Sequence, residues 1–290
     1  MPSFYRRQFE LFISNRDIPF ISATNERQFK LTFSILVEFG GHNAYADIAV
    51  YNLSKDTEGQ VFKKGEYVGF RAGYEDTIDY IFKGEVVNII REKHGSDKIT
   101  RLICKGGVVS QEKSTINKSF EKGVTVQELC RACAEALGFP IVLNDEDFPK
   151  ESPYLFGYHL TGDPKVKLSQ LAKSHNFKWL IESEKIIIVG DTSSRKGAIV
   201  AVSASNGMVG VPEITEIGAD AIVKLNPTLR IGGQFEIKSE FAQINYSNVY
   251  FQDVPETLGQ GTYTIQRLQF DGDTYGDTWD TKISGIRPTT

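Results

Sequence analysis

The 290-residue sequence predicts an α+β protein that is mainly β, with two antiparallel β units, residues 1–114 and 205–290, flanking a small α+β middle unit of residues 115–204. Three observations carry this. Apolar and polar residues alternate with period two at both ends of the chain, the mark of half-buried strands. Near residue 115 the apolar spacing changes to that of a helix. One strand-and-turn phrase also occurs twice, as "VFKKGEYVGFRAGY" from Val61 to Tyr74 and as "NPTLRIGGQFEIKSEF" from Asn226 to Phe241. Phe62, Gly65, Val68 and Phe70 match Leu229, Gly232, Phe235 and Ile237 position for position.

The first unit reads as short strands broken by turns: "FELFIS", "FKLTFSILVEF", "ADIAVYNLS", "EYVGFRAGY", "YIFKGEVVNIIRE" and, after the turn "KHGSDK", "KITRLICKG". In the middle unit "VTVQELCRACAEALGF" places Val126, Leu129, Cys130, Cys133, Ala134 and Leu137 on one helical face. Thr125 with Glu128 three residues later forms a capping box, and Gly138 ends the helix. A second helix starts at Asp163-Pro164, an N-cap followed by proline at the first helical position, and runs through Leu168, Leu171 and Ala172 to about Asn176. "ALGFPIVL" and "SHNFKWLI" then leave the two helices in the same way, so the unit reads as two helix-strand pairs followed by the linker "GDTSSRKGA". Strand grammar returns in "AIVKLNPTLRIGGQFEIKS", "GTYTIQRLQFDGD" and "DTWDTKISGIR". The repeat extends into hairpins, with Val86 and Ile89 matching Ile265 and Leu268. Gly65, Gly232 and its neighbour Gly233 are the candidate structural turn residues, because each precedes a matched strand where a left-handed backbone or close strand approach selects glycine.

Composition narrows the function classes. With 40% hydrophobic residues and a formal charge of −4, the chain can bury a large core. It has no run of about 18 apolar residues, so no membrane span is expected. The opening "MPSFYRRQFELFIS" lacks the apolar run of an export signal. Three cysteines, an odd number, argue for thiols in a reducing compartment and against a disulfide framework. The acidic balance argues against a free-standing duplex nucleic-acid binder, which needs a basic stripe.

Two local motifs suggest chemistry and both fail a requirement. "CRAC", Cys130 to Cys133, has the spacing of a redox pair or half a zinc site, yet it lies past the first helical turn on the apolar face. His42, His94, His159 and His175 are scattered singly, and Cys130 and Cys133 align with Leu168 and Leu171, so the thiols read as core residues. "DGDTYGDTWD", Asp271 to Asp280, begins like a calcium loop but carries Tyr275 at the fifth position and Lys282 where a bidentate glutamate is required. An acidic hairpin turn is expected there, with weak calcium binding at Asp271–Asp277 as the alternative. "YEDTIDY", Tyr74 to Tyr80, reads as a solvated loop, and Tyr74, Tyr80, Trp179 and Trp279 read as strand-packing aromatics rather than a sugar platform. No nucleophile elbow, metalloprotease or phosphate-loop motif is present.

The succession "IAVYNLS", "KKGEYVGFRAGY", "IFKGEVVNI", "VTVQELCRACAEALGF", "KLSQLAKSHNFKWLIESEKIIIVG", "NGMVGVPEI", "LNPTLRIGGQFEI" and "GTYTIQRLQFDGDTYGDTWDTKI" resembles the baseplate hub proteins of contractile-tailed bacteriophages, relatives of the base of type VI secretion spikes. The resemblance covers nearly the whole chain and lies in the order of the segments rather than in any one motif. It implies that the two terminal units are tail-tube-like antiparallel β-barrels and that the chain is a homotrimer forming a six-barrel ring. Such a ring joins a hexameric tail tube to a trimeric central spike. The implied partners are the tail tube protein, the central spike protein, other baseplate subunits and the tape-measure protein, with DNA passing through the lumen without sequence-specific binding. The implied place is the virion, after assembly in the host cytoplasm, with no catalytic, cofactor or metal residue. Larger hubs carry a long C-terminal extension, whereas this sequence reaches "GIRPTT" soon after its last strand, so the spike is expected as a separate protein. The alternatives are a tail-tip hub of a long non-contractile tail and a cell-wall-binding or cell-wall-degrading tail module.

Overall fold

A computed structural model describes residues 6–14, 17–23, 29–40, 43–107, 114–149, 153–215, 217–245 and 260–287. The stretch 108–113, next to the first unit boundary, lies outside the described residues. The first unit holds β1 (Arg7–Ile13), β2 (Ile21–Ser22), β3 (Leu31–Glu38), β4 (Tyr45–Tyr51), α1 (Lys55–Val61), β5 (Tyr67–Tyr74), β6 (Asp79–His94) and β7 (Asp97–Lys105). Its alternation is literal: Leu31, Phe33, Ile35 and Val37 of β3 are buried while Thr32, Ser34, Leu36 and Glu38 are partly exposed. The last units of chain add β13 (Val200–Ser203), β14 (Glu213–Thr215), β15 (Gly218–Lys224), β16 (Gln234–Lys238), β17 (Gln243–Asn245), β18 (Gln260–Asp273) and β19 (Trp279–Ile286).

All of these strands belong to one mainly antiparallel sheet, of 14 strands among the described residues, in the order β17-β14-β15-β19-β18-β3-β4-β7-β6-β5-β1-β2, with β16 also on β18 and β13 on β16. The halves meet where β3 pairs with β18 from Thr32↔Asp273 to Glu38↔Arg267. One apolar core runs beneath both, from Phe9 and Leu11 to Trp279 and Ile283. β13 pairs with β16 in this sheet, although it precedes residue 204.

The two halves repeat each other at the level of hydrogen-bonded register. β4-β7-β6-β5 and β15-β19-β18-β16 are both antiparallel neighbours in that order. Val68↔Gly84 and Phe70↔Phe82 in the first half answer Phe235↔Tyr263 and Ile237↔Gly261 in the second. β6 has a bulge between Val86 and Asn88, and β18 has one between Ile265 and Arg267. The turn before each inner strand is tied to that bulge in the same manner. Gly65 N–H donates to Val86 O at 2.8 Å and Val86 N–H to Glu66 O at 2.9 Å, while Gly232 N–H donates to Ile265 O at 2.9 Å and Ile265 N–H to Gly233 O at 2.8 Å. Gly65 and Gly232 have φ of +80° and +74°, the left-handed region where a Cβ is strained. The halves differ at their flanks. β1 runs antiparallel to β5, β13 runs parallel to β16, and α1 has only a turn for a counterpart.

The middle unit holds β8 (Ile116–Phe120), α2 (Val126–Leu137), β9 (Ile141–Val142), β10 (Tyr158–Gly162), α3 (Pro164–His175), β11 (Phe177–Glu182) and β12 (Lys185–Gly190). Thr125 and Glu128 form the capping box of α2, and Gly138 closes it in the left-handed region at φ +75°. Asp163 caps α3 by accepting from Lys165 N–H at 2.8 Å, and Asn176 ends it at φ +54°. The β11–β12 hairpin is apolar on both faces for a reason. Trp179, Ile181, Ile186 and Ile188 fill the middle core with Leu129, Leu168 and both helical cysteines, while Leu180, Ile187 and Val189 enter the core of the large sheet. The hairpin is therefore the mount that fixes the middle unit to the sheet.

Candidate functional site: the polar face of the sheet and the joint between its halves

Period-two alternation gives the 14-stranded sheet a second face, built from the residues between the core positions. On β3, β4 and β7 these include Ser34, Asp47 and Arg101; on β15, β18 and β19 they include Lys224, Arg267, Gln269, Asp271, Asp280 and Lys282. The face is charged and its charges are paired in place. The Arg101 guanidinium donates to both carboxylate oxygens of Asp47 and, at 3.2 Å, to Glu92. The hydrogen bond to Asp47 raises the Arg101 pKa further above its ordinary value, so its charge is fixed at any working pH. Asp271 accepts from Ser34 Oγ at 2.7 Å and from Gln269 Nε2 at 3.0 Å, with Lys282 Nζ 3.0 Å away. Burial alone would raise the Asp271 pKa, but those three donors together hold it below the usual carboxylate value. Lys224 lies 3.4 Å from Asp280, and Arg267 lies 3.6 Å from Glu38 across the joint. Arg101, Arg267, Lys224 and Lys282 thus each face a carboxylate, which leaves this part of the face without a stripe of unneutralised cations.

The joint is fastened at one end by Trp279. Its ring is fully buried, with its centroid 5.3 Å from that of Phe33 and 6.5 Å from that of Phe9, and its Nε1–H donates to Gly73 O at 3.2 Å. Arg7 from β1 lies 5.5 Å over the Trp279 ring and donates to the backbone oxygens of Asp273, Gly276 and Asp277 at 3.3, 2.5 and 2.8 Å. At the acidic hairpin turn, therefore, the carbonyl oxygens meet a cation of the chain itself, and Asp273 receives Tyr275 N–H at 2.9 Å. Arg230 of the last unit reaches Asp79 of the first at 2.7 Å.

Cys130 and Cys133 are buried in the middle core, and Cys104 is buried in the large one. Burial pushes all three thiols up, Cys133 to about 12. Tyr74, Trp179 and Trp279 are buried, and residues 75–78 of "YEDTIDY" form the turn between β5 and β6. Among the described residues no three His, Cys, Asp or Glu side chains gather as a metal site, and no helix is long and apolar enough to cross a membrane. The sequence reading missed the Asp47–Arg101–Glu92 cluster and the role of Arg7. The available signal was the placing of charges at the outward positions of "ADIAVY" and "ITRLI".

This architecture is shared with proteins of phage tails and type VI secretion machinery. The structure matches a 43 kDa tail protein of prophage MuSo2 from Shewanella oneidensis with a TM-score of 0.60 at 10% identity, over 97% of each chain. It matches a tail protein from Neisseria meningitidis MC58 with a TM-score of 0.60 at 8% identity, over 98% of this chain and 97% of that one. An Escherichia coli component of the type VI secretion system, described as similar to T4 bacteriophage tail proteins gp27 and gp5, matches with a TM-score of 0.54 at 10% identity, over 97% of this chain and 77% of that one. At such identities the likeness establishes a common fold. No curated protein matches the sequence. The family model of baseplate hub gp41 matches residues 43–271, and the chain belongs to that family. It is a structural hub component of a phage tail.

Proposed function

We propose that the chain is the trimeric, pseudo-sixfold adaptor between a hexameric tail tube and a trimeric central spike of a contractile tail. In this reading each sheet half is one tube-like β-barrel unit. The observation that carries it is the repeated register, with the same ladders, the same bulge and the same glycine turn in both halves. A hexameric tube and a trimeric spike match in symmetry only through a part offering six similar surfaces on one side and three on the other, and three copies of a duplicated chain do so. The paired polar face suits the wall of a channel through which DNA slides, since free cations would bind phosphates and slow it. Tube, spike and tape-measure proteins are then the partners, and the middle unit, mounted outside the sheet, faces other baseplate subunits. Electron microscopy of the purified protein, alone and mixed with tube and spike proteins, is expected to show a threefold ring with six similar lobes. A protein that stays monomeric in both conditions would refute the adaptor.

A further inference from the structure

The halves of the sheet meet through the outer part of β18, where Gln269, Phe270 and Asp271 lie opposite Leu36, Ile35 and Ser34 of β3. The repeated register assigns each partner a counterpart. β18 corresponds to β6, with Ile90, Arg91 and Glu92 in the places of Gln269, Phe270 and Asp271. β3 corresponds here to β14, because Ile35↔Ala46 beside Cys104 is matched by Ile214↔Ala219 beside Gly285. Glu213, Ile214 and Thr215 therefore stand for Ser34, Ile35 and Leu36.

The single chain does not make this second joint among its described residues: six strands separate β14 from β6 in the sheet order. The outer half of β6, from Asn88 to His94, pairs with β7 on one side and has no strand partner on the other among the described residues, whereas the same stretch of β18 carries β3 there. We infer that a second copy of this chain completes it: the outer half of β6 in one copy pairs antiparallel with β14 of the next, with Ile90 opposite Thr215 and Glu92 opposite Glu213. The contact repeats between chains the joint that each chain makes within itself. It is heterologous, so it propagates head to tail, and in the threefold arrangement proposed above it closes into a ring. It rests on the ring reading above and supplies the subunit contact of that ring.

One further feature favours a second copy as the occupant. Large apolar residues are left exposed around the β14–β15 edge, with Val209, Val211, Ile222 and Ile217 at 38%, 43%, 40% and 73% of full exposure. On the face that carries Glu213 and Asp220, His94 of β6 stands beside Glu92, whereas Arg91 and Lys93 lie on the other face, where Arg91 is bound to Glu58. The one like-charge meeting, Glu92 with Glu213, has Arg101 already bound to Glu92. In the single chain the side of β14 away from β15 is held by the three residues of β17 in parallel, and in the assembled joint β6 of the neighbour displaces β17 from that place.

Paired cysteines test the register. Directly opposite residues in an antiparallel ladder have Cα atoms about 4.5–5.5 Å apart, within disulfide reach, whereas diagonal neighbours stand about 7–8 Å apart. All the chosen sites are on the polar face, and the native thiols are buried. Under mild oxidation the full-length double variants Ile90→Cys/Thr215→Cys and Glu92→Cys/Glu213→Cys are expected to give covalent dimers and trimers on non-reducing gels. Ile90→Cys/Glu213→Cys and the single variants are expected to stay monomeric on the same gels. Rings seen by light scattering without cross-links from either registered pair would overturn this joint and leave the ring reading standing. Cross-links from the out-of-register pair would overturn the register, and a chain that is monomeric by light scattering even with tube and spike proteins would overturn both.

Discussion

Replacing the two matched glycines by alanine separates backbone strain from crowding. Both have left-handed φ, +80° at Gly65 and +74° at Gly232, so each alanine carries the same backbone penalty, about 1–2 kcal/mol. Their surroundings differ. A Cβ at Gly65 meets no atom within 4 Å, whereas one at Gly232 lies 2.8 Å from Val189 Cγ2 and 3.4 Å from Phe39 Cζ. Val189 is itself buried, on the hairpin that mounts the middle unit, so it has little room to withdraw. Overpacking of this kind adds about 1–3 kcal/mol. Gly65→Ala is therefore expected to cost about 1–2 kcal/mol and Gly232→Ala about 2–5 kcal/mol. Equilibrium denaturation in urea, followed by circular dichroism, reads both. In the background of Val189→Ala the crowding vanishes and the backbone strain stays, so a double-mutant cycle should return a coupling of about 1–3 kcal/mol for Gly232→Ala and none for Gly65→Ala. Equal costs at the two glycines, or a cycle that closes without coupling, would refute the argument.

Burial of the thiols predicts that Cys104, Cys130 and Cys133 are silent to a thiol reagent at pH 8 in the folded protein and titrate together on unfolding. Cys130→Ala with Cys133→Ala should lose about 1 kcal/mol per sulfur and keep assembly, and stoichiometric zinc in the pure protein would contradict this. Asp271 has its pKa held below 3.8 in the fold, so its stabilisation is present above that value and is lost as pH falls through the lower, folded one. Acid denaturation of Asp271→Asn should therefore be less steep below pH 3.8 than that of the parent, and identical curves would remove Asp271 from the account.

Local chemistry made much of the fold legible in the sequence. The Thr125–Glu128 capping box, Gly138, Asp163-Pro164 and the alternation of β3 act within a few residues, and each left its mark in order. The matched spacing of Phe62 to Phe70 and Leu229 to Ile237 reported a repeat that the ladders repeat in turn. α1 was missed because "KDTEGQV" has no apolar face and contains Gly59, although Ser54 caps it. The ribbon of β8 and β10 was missed because "INKSF" and "YHLTG" are mostly exposed and carry no period-two pattern. The joint could not be read locally, since Arg7, Trp279 and the β3·β18 ladder connect residues more than 200 positions apart. The clamp of Asp47, Arg101 and Glu92 likewise depends on which strands become neighbours.

That distance along the chain orders events at the ribosome. β3 is made early and exposes its edge, while β18 leaves the ribosome only after the middle unit has been translated. α2, α3 and the β11–β12 hairpin find their partners nearby and can fold first, but the long sheet waits for residues 260–287, since contacts that close large loops form late. Throughout that interval the open edge of β3 is offered to any other strand in reach. A nascent chain halted before β18 is therefore the species most exposed to mispairing, and the arrival of β18 and β19 closes the exposed edge of β3.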